Sequence, residues 1–249
     1  MKKLFMLIIS ILTITSIFTG CANVSESKPT PPFVAKYAVG DIIQKDGSKI
    51  AYHIGLNLTP EQKASAVAII YVADTESTPA LGVGIGGYNN VKWCTADAKA
   101  YNRIITPIIG YRGTDDTDGS DNLSQIAAFL GSENDTSDES KYPAFYTAIK
   151  HGNNFKGSPF ENGWYLPTID ECSILIEEES RIYAALDLCG GATSLFKLQT
   201  IWTSSAEALY SDKVIAIDYN KNPLTSNYAY ADLKKDDDSS VVIPIRKFN

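Results

Sequence analysis

Between Thr168 and Leu188 the chain carries its one extended helical pattern. Pro167 precedes it, Thr168 and Glu171 form a Thr-x-x-Glu capping box, and Gly190-Gly191 follows its end. Ile169, Ile174, Ile176, Ile182, Ala185 and Leu186 supply an apolar face, and Glu177 to Glu179 read as a solvated one. Most other apolar runs are too short for long helices. Ala66 to Val72 (AVAIIYV) is β-branched and uninterrupted and reads as a buried strand. Helix and strand signals thus stand side by side in one chain, a mixed class.

Further elements fit that class. Val39 to Ile43 and Lys49 to Tyr52 read as strands about the turn Lys45–Ser48, and Leu81 to Gly86 as another. Thr59, Pro60 and Gln62 open a short helix, Thr59 as N-cap and Gln62 reaching back to it. Leu123 to Leu130 (capped by Asp121 or Asn122) and Tyr142 to Lys150 are expected helices, with Ser132 to Ser140 as a solvated loop. Val214 to Tyr219, Tyr228 to Leu233 and Val241 to Ile245 are expected strands. Pro244 would place the last of them at an edge or a bulge.

The N-terminus is of a different kind. Lys2 and Lys3 precede a 15-residue apolar run, Leu4 to Phe18, then Thr19, Gly20 and Cys21. The run is shorter than the roughly 20 residues a membrane-spanning helix needs, and its flanks are those of a secretory signal. Phe18-Thr19-Gly20-Cys21 resembles the lipobox of bacterial lipoproteins, with Phe18 where Leu is usual. That resemblance implies a signal peptide over 1–20 and a lipid on Cys21. Residues 21–36 then read as a lipidated Cys and a Ser/Pro-rich tether, and 37–249 as the domain. The implied partner is a membrane, held through the N-terminal lipid, at a bacterial outer membrane or cell surface.

Charge excludes one class of partner. The formal net charge is −7, and more negative still without Lys2 and Lys3, so a nucleic-acid backbone would be repelled. Cys94, Cys172 and Cys189 remain beside Cys21, an odd set with no assignable pairing. No CxxC or His-x-x-x-His spacing occurs and the chain has only 2 histidines, which argues against zinc. Asp115, Asp116, Asp118 and Asp121 can offer oxygens to Ca²⁺, but an EF-hand's third ligand and distal Glu are missing, and such stretches are commonly plain turns. No cofactor is otherwise implied. Gly82-x-Gly84-x-Gly86-Gly87 lacks the following helix of a nucleotide loop; these glycines read as room for a bulky neighbour, Trp93 being a candidate. His53 in a strand and His151 at a helix end, where the dipole alone favours it, form no catalytic set with Ser204 or Ser205, so no enzyme is expected.

One order of features is distinctive. Gly163-Trp164-Tyr165-Leu166-Pro167-Thr168 leads into the capped helix, Ile201-Trp202-Thr203-Ser204-Ser205 follows it, and Val242-Ile243-Pro244-Ile245-Arg246-Lys247-Phe248 closes the chain. This resembles the C-type-lectin-like domains of bacterial surface proteins, above all spirochaetal lipoproteins of the retroelement-variable type. The formylglycine-generating enzymes share that superfamily fold. The match is firm over about 160–249; Leu81 to Tyr101 and Asp116 to Asn122 are similar more loosely. The resemblance implies a mixed fold with antiparallel strands, paired terminal strands, a few helices and long irregular loops, with Trp164 and Trp202 as core supports. The Ca²⁺-dependent sugar signature and the oxidase's catalytic cysteines are both absent. A displayed domain binding a protein or glycan ligand is the expected function. A structural envelope lipoprotein, or an enzyme of the superfamily with an unrecognised site, is the alternative. Tyr210, Tyr219, Asn220, Asn222, Asn227, Tyr228 and Tyr230 would form the ligand surface, since Tyr and Asn on a rigid scaffold give recognition area at low entropic cost.

Overall fold

A computed structural model describes residues 33–88, 90–105, 118–131, 133–191, 200–207, 209–218 and 229–249. Phe33–Asn249 forms one compact unit, and its class is α+β with antiparallel sheets.

The larger sheet has six strands. In chain order they are β1 (Ile42–Gln44), β2 (Lys49–Ile50), β3 (Ala66–Val72), β4 (Ala80–Gly84), β5 (Trp164–Tyr165) and β9 (Ile245–Phe248). Their spatial order is β2-β1-β3-β4-β9-β5, each neighbouring pair antiparallel. The second sheet is an antiparallel meander of β6 (Thr200–Ala206), β7 (Lys213–Asp218) and β8 (Ala229–Lys234). The first and last strands thus share a sheet, with β3 and β4 between them. The two ends of the unit also touch: Lys36 Nζ donates to the Asn249 carbonyl at 2.7 Å.

β3 shows why its sequence is apolar throughout. Ile69 and Tyr71 face one core and Val67 and Ile70 another, so both sides of the strand are buried. The first core joins that sheet face to the two long helices and to Ile201, Ile215 and Ile217 of the small sheet. The second gathers Tyr37, Ile43, Phe155, Phe160, Trp164 and Phe248. A third holds Trp93, Ile126, Tyr142, Phe145, Trp202 and Val242. The glycines of β4 do make room for rings, though not for Trp93. A Cβ on Gly82 would lie 2.6 Å from the Phe248 ring, and one on Gly84 only 2.4 Å from His151 Nε2.

Six α-helices accompany the sheets among the described residues: α1 (Pro60–Ser65), α2 (Asn122–Leu130), α3 (Glu133–Thr136), α4 (Pro143–Lys150), α5 (Ile169–Glu177) and α6 (Glu179–Leu188). Both capping boxes form, Thr59 with Gln62 and Thr168 with Glu171. The helix expected over Thr168 to Leu188 is in fact two. Glu178 leaves helical geometry at φ −90°, ψ 12°, in the middle of three adjacent glutamates. Beyond it, α6 buries Ile182, Tyr183, Ala185 and Leu186. Short α3 lies where a solvated loop was expected. It is pinned by Asp135, which accepts from Lys99 N and from the Tyr142 hydroxyl, both at 3.0 Å.

The last strand also differs from its expected place. Val241 bridges Ile201 and Val242 bridges Tyr88, so this segment ties the two sheets together. The strand proper starts at Ile245 and lies inside the sheet, between β4 and β5. Pro244 stands just outside the ladder, where its missing N–H costs nothing, and its carbonyl accepts from Gly84 N at 2.9 Å.

Candidate functional site

Three stretches that stand apart in sequence meet around the start of α5. Between Trp202 and Ala206 the β6–β7 register shifts by a bulge, which takes Ser204 and Ser205 out of regular pairing. Ser204 N donates to the Pro167 carbonyl at 2.6 Å, and Ser205 Oγ accepts from Ile169 N at 2.8 Å. The loop Asp118–Asp121 closes over this junction. Asn122 Nδ2 donates to Ser204 Oγ at 2.7 Å. Gly119 sits so close that a Cβ there would be 2.4 Å from the Leu166 carbonyl.

Glu171 is the centre of the junction. Its carboxylate accepts from the Tyr165 hydroxyl (2.7 Å), Thr168 N (2.9 Å) and Gly119 N (3.2 Å). Burial pushes its pKa up to about 7 against the pull of these donors. These three bonds join helix, strand and loop, so Glu171 acts as a clamp between them. The sequence marks Glu171 only as a helix cap; its bond to Gly119, across 52 positions, has no local signal. Trp164 and Trp202 are buried in two separate cores, Trp164 Nε1 donating to the Phe160 carbonyl at 2.7 Å.

Of the four aspartates weighed for Ca²⁺, Asp115 and Asp116 lie outside the described residues. Asp118 pairs with Lys247 and accepts from Ser120 N at 3.0 Å. Burial raises its carboxyl, but the bonds from Lys247 and Ser120 outweigh that and hold it below its ordinary range. Asp121 is the N-cap of α2 without a side-chain cap bond, and the neighbouring Asn122 donates its amide to Ser204. No group of three or more His, Cys, Asp or Glu gathers among the described residues.

Of the expected ligand surface, Tyr219, Asn220, Asn222, Asn227 and Tyr228 lie outside the described residues, as does Cys21. Tyr210 and Tyr230 are not brought together. Tyr210 is exposed beside Leu209 in the β6–β7 turn, with Lys213 Nζ 4.2 Å over its ring. Tyr230 pairs with Ile217 near the other end of β7 and packs on the helical core, its hydroxyl 3.4 Å from Ser173 Oγ.

The histidines have separate fates. His151 is buried against Trp164 and Phe155, at 4.5 and 5.2 Å between ring centres, with Nδ1 3.0 Å from the Tyr88 hydroxyl. Burial drives its pKa down to about 4. It is therefore a neutral core ring, not the cation that a helix dipole favours. His53 is exposed at the rim of an open groove of about 510 Å³, with Val39, Tyr52, Ile54, Ser180 and Arg181 among its lining. Gly40, at φ +93°, makes this groove possible: a Cβ there would lie 3.0 Å from Arg181 Cδ and 3.3 Å from Tyr52 Cβ. The aliphatic stem of Arg181 lies across that glycine.

Cys94, Cys172 and Cys189 are all buried free thiols. Burial raises each, Cys94 to about 12 and Cys189 to about 11, so they are unreactive protonated groups near neutrality. No helix among the described residues is long and apolar enough to cross a membrane.

Neither the known protein families nor the curated proteins contain a sequence match. Among solved structures, the chain is similar to a fimbrial protein from Bacteroides ovatus, with a TM-score of 0.52 at 12% identity over 84% of this chain. The likeness covers 48% of that protein, so the chain spans about half of its length. At this identity the likeness is one of fold.

Proposed function

We propose that the chain is a lipid-anchored protein of the bacterial surface whose folded unit is displayed to recognise a ligand. The observation that carries this reading is the fold shared with a fimbrial protein over 84% of the chain, because fimbrial proteins work at the cell surface. The N-terminal sequence supports it independently: Lys2 and Lys3, the apolar run to Phe18, and Cys21 in a lipobox-like setting. Acyl chains on Cys21 would hold the unit to a membrane through buried methylenes, each worth about 0.8 kcal/mol. A C-type-lectin-like domain belongs to the same proposal. Its support is the order of Gly163–Thr168, Ile201–Ser205 and Val242–Phe248 in the sequence. The ligand would meet exposed side chains such as Tyr210 or those of the Arg181 groove.

Protease treatment of intact cells expressing the wild type and Cys21→Ala tests the display. Surface exposure predicts that wild-type protein is degraded on whole cells, and that the variant leaves the membrane fraction. Wild type protected in intact cells and cut only after lysis would contradict it.

A further inference from the structure

The groove beside α6 has a chemistry of its own. Arg181 sits in the first turn of that helix with its stem laid over Gly40. Among the described residues its guanidinium has no carboxylate, carbonyl or ring partner, although the chain has 29 acidic residues against 22 basic ones. Its stem rests on Gly40, with Cδ and Cγ 3.0 and 3.1 Å from where a Cβ on that glycine would stand. An arginine with a seated stem and unspent donors is prepared to bind a carboxylate, which its planar fork matches bidentately.

The other polar groups of the groove are also unspent. The Tyr52 and Ser180 hydroxyls bond to nothing among the described residues. His53 Nδ1 lies 3.2 Å from the Ile54 carbonyl. The tautomer that donates there leaves Nε2 as an acceptor. Tyr52 is half-buried on the core side, and Ile54 is 94% exposed at the rim. The groove therefore offers a cation, two hydroxyls that both donate and accept, one acceptor nitrogen, and aromatic and aliphatic surface. Its volume, about 510 Å³, is that of a small-molecule site. A sugar ring presents hydroxyls that need donors and acceptors together, and apolar C–H faces that rest on aromatic rings. A carboxylate on that ring meets Arg181.

The geometry points to this groove as a binding site for a carboxylate-bearing saccharide, a uronic or a sialic acid unit, held by Arg181 and oriented by Tyr52, His53 and Ser180. This deepens the proposed recognition role, and rests on it only for where the ligand is encountered. Binding is read on the purified protein, so loss of the anchor assignment would leave it standing.

The test is calorimetric titration of the full-length protein in detergent with two probes and their neutral counterparts. Trigalacturonic acid is compared with its methyl ester, and sialyllactose with lactose. The expected result is binding of at least one acidic probe, and binding of its neutral counterpart at least tenfold weaker. Arg181→Gln should weaken acidic binding at least tenfold, and Tyr52→Phe severalfold, with unchanged melting temperatures because Arg181 is exposed. Which acidic probe binds decides between uronic and sialic acid. The assignment is overturned if neither acidic probe binds, or if ester and acid bind alike. It is also overturned if Arg181→Gln binds like wild type, or if a tri-glutamate peptide binds as tightly as the acidic sugar.

Discussion

The Tyr165 hydroxyl donates to the Glu171 carboxylate at 2.7 Å, inside a junction where the same carboxylate also receives Thr168 N and Gly119 N. Helix α5, strand β5 and the loop before α2 are thus held through one side chain. Removing it leaves three buried donors without an acceptor, and each orphaned group costs about 1–3 kcal/mol. Glu171→Ala should destabilise the unit by about 3 kcal/mol or more. Glu171→Gln can keep an oxygen toward the two N–H groups and turn its amide to Tyr165, so it should stay within about 1 kcal/mol of wild type at pH 5. Urea unfolding monitored by tryptophan fluorescence measures both; equal losses for Ala and Gln would contradict the clamp.

Two buried groups should tilt stability with pH in opposite senses. Glu171 is raised from 4.5 to about 7, so the folded protein keeps a proton that the unfolded chain releases, and stability falls as pH rises between them. His151 is lowered from 6.5 to about 4, so the unfolded chain binds a proton that the folded one refuses, and stability falls as pH drops between them. Each effect spans at most roughly 3 kcal/mol. In Glu171→Gln the histidine acts without this opposition, and stability should rise more steeply from pH 4.5 to 6.5 than in wild type. In His151→Phe the slope should turn toward a decline. Unfolding free energies at pH 4.5, 5.5 and 6.5 decide this; parallel curves for all three proteins would refute it.

Lys235 lies in the run Lys234 to Ser240, which reads as a turn, yet its side chain is wholly buried. Its ammonium donates to the carbonyls of Ala100 and Ser211, both at 2.6 Å, and of Arg103 at 2.9 Å. It also lies 5.6 Å from the centre of the Trp93 ring. Burial pulls its pKa down to about 8, but at neutral pH it is still charged and ties two chain segments to the end of β8. Lys235→Met keeps the stem and abandons the carbonyls, so it should cost about 3 kcal/mol. Thermal melting at pH 7 checks this, with Lys234→Met, whose position is exposed, expected to change little.

Gly119→Ala should cost about 1–3 kcal/mol, because the added methyl meets the Leu166 backbone 2.4 Å away, where no side chain can give. The change should also free the loop before α2, seen as faster amide exchange at Ser120 to Asn122. A Gly119→Ala protein as stable and as protected as wild type would mean that the loop is not clamped.

Local chemistry made much of this fold legible. The strand Ala66–Val72 and both capping boxes formed where the sequence placed them, because each is decided within a few residues. What escaped depends on partners far along the chain. The start of the last strand is set by Val241 and Val242 first bridging Ile201 and Tyr88. The break at Glu178 carries no Gly or Pro to announce it. The burial of Lys235 is set by carbonyls more than 130 positions away. The candidate site was less legible still. His53 was visible as a residue, but the groove exists because Gly40, Tyr52 and Arg181 meet, and nothing in their spacing announces that.

The surface-lipoprotein account rests most directly on Cys21. Mass spectrometry of the N-terminal peptide of protein purified from bacterial membranes measures it. The account predicts a chain beginning at Cys21, heavier than the bare peptide by a diacylglyceryl group with or without a further acyl chain. A chain that begins elsewhere, or an unmodified Cys21, would contradict it.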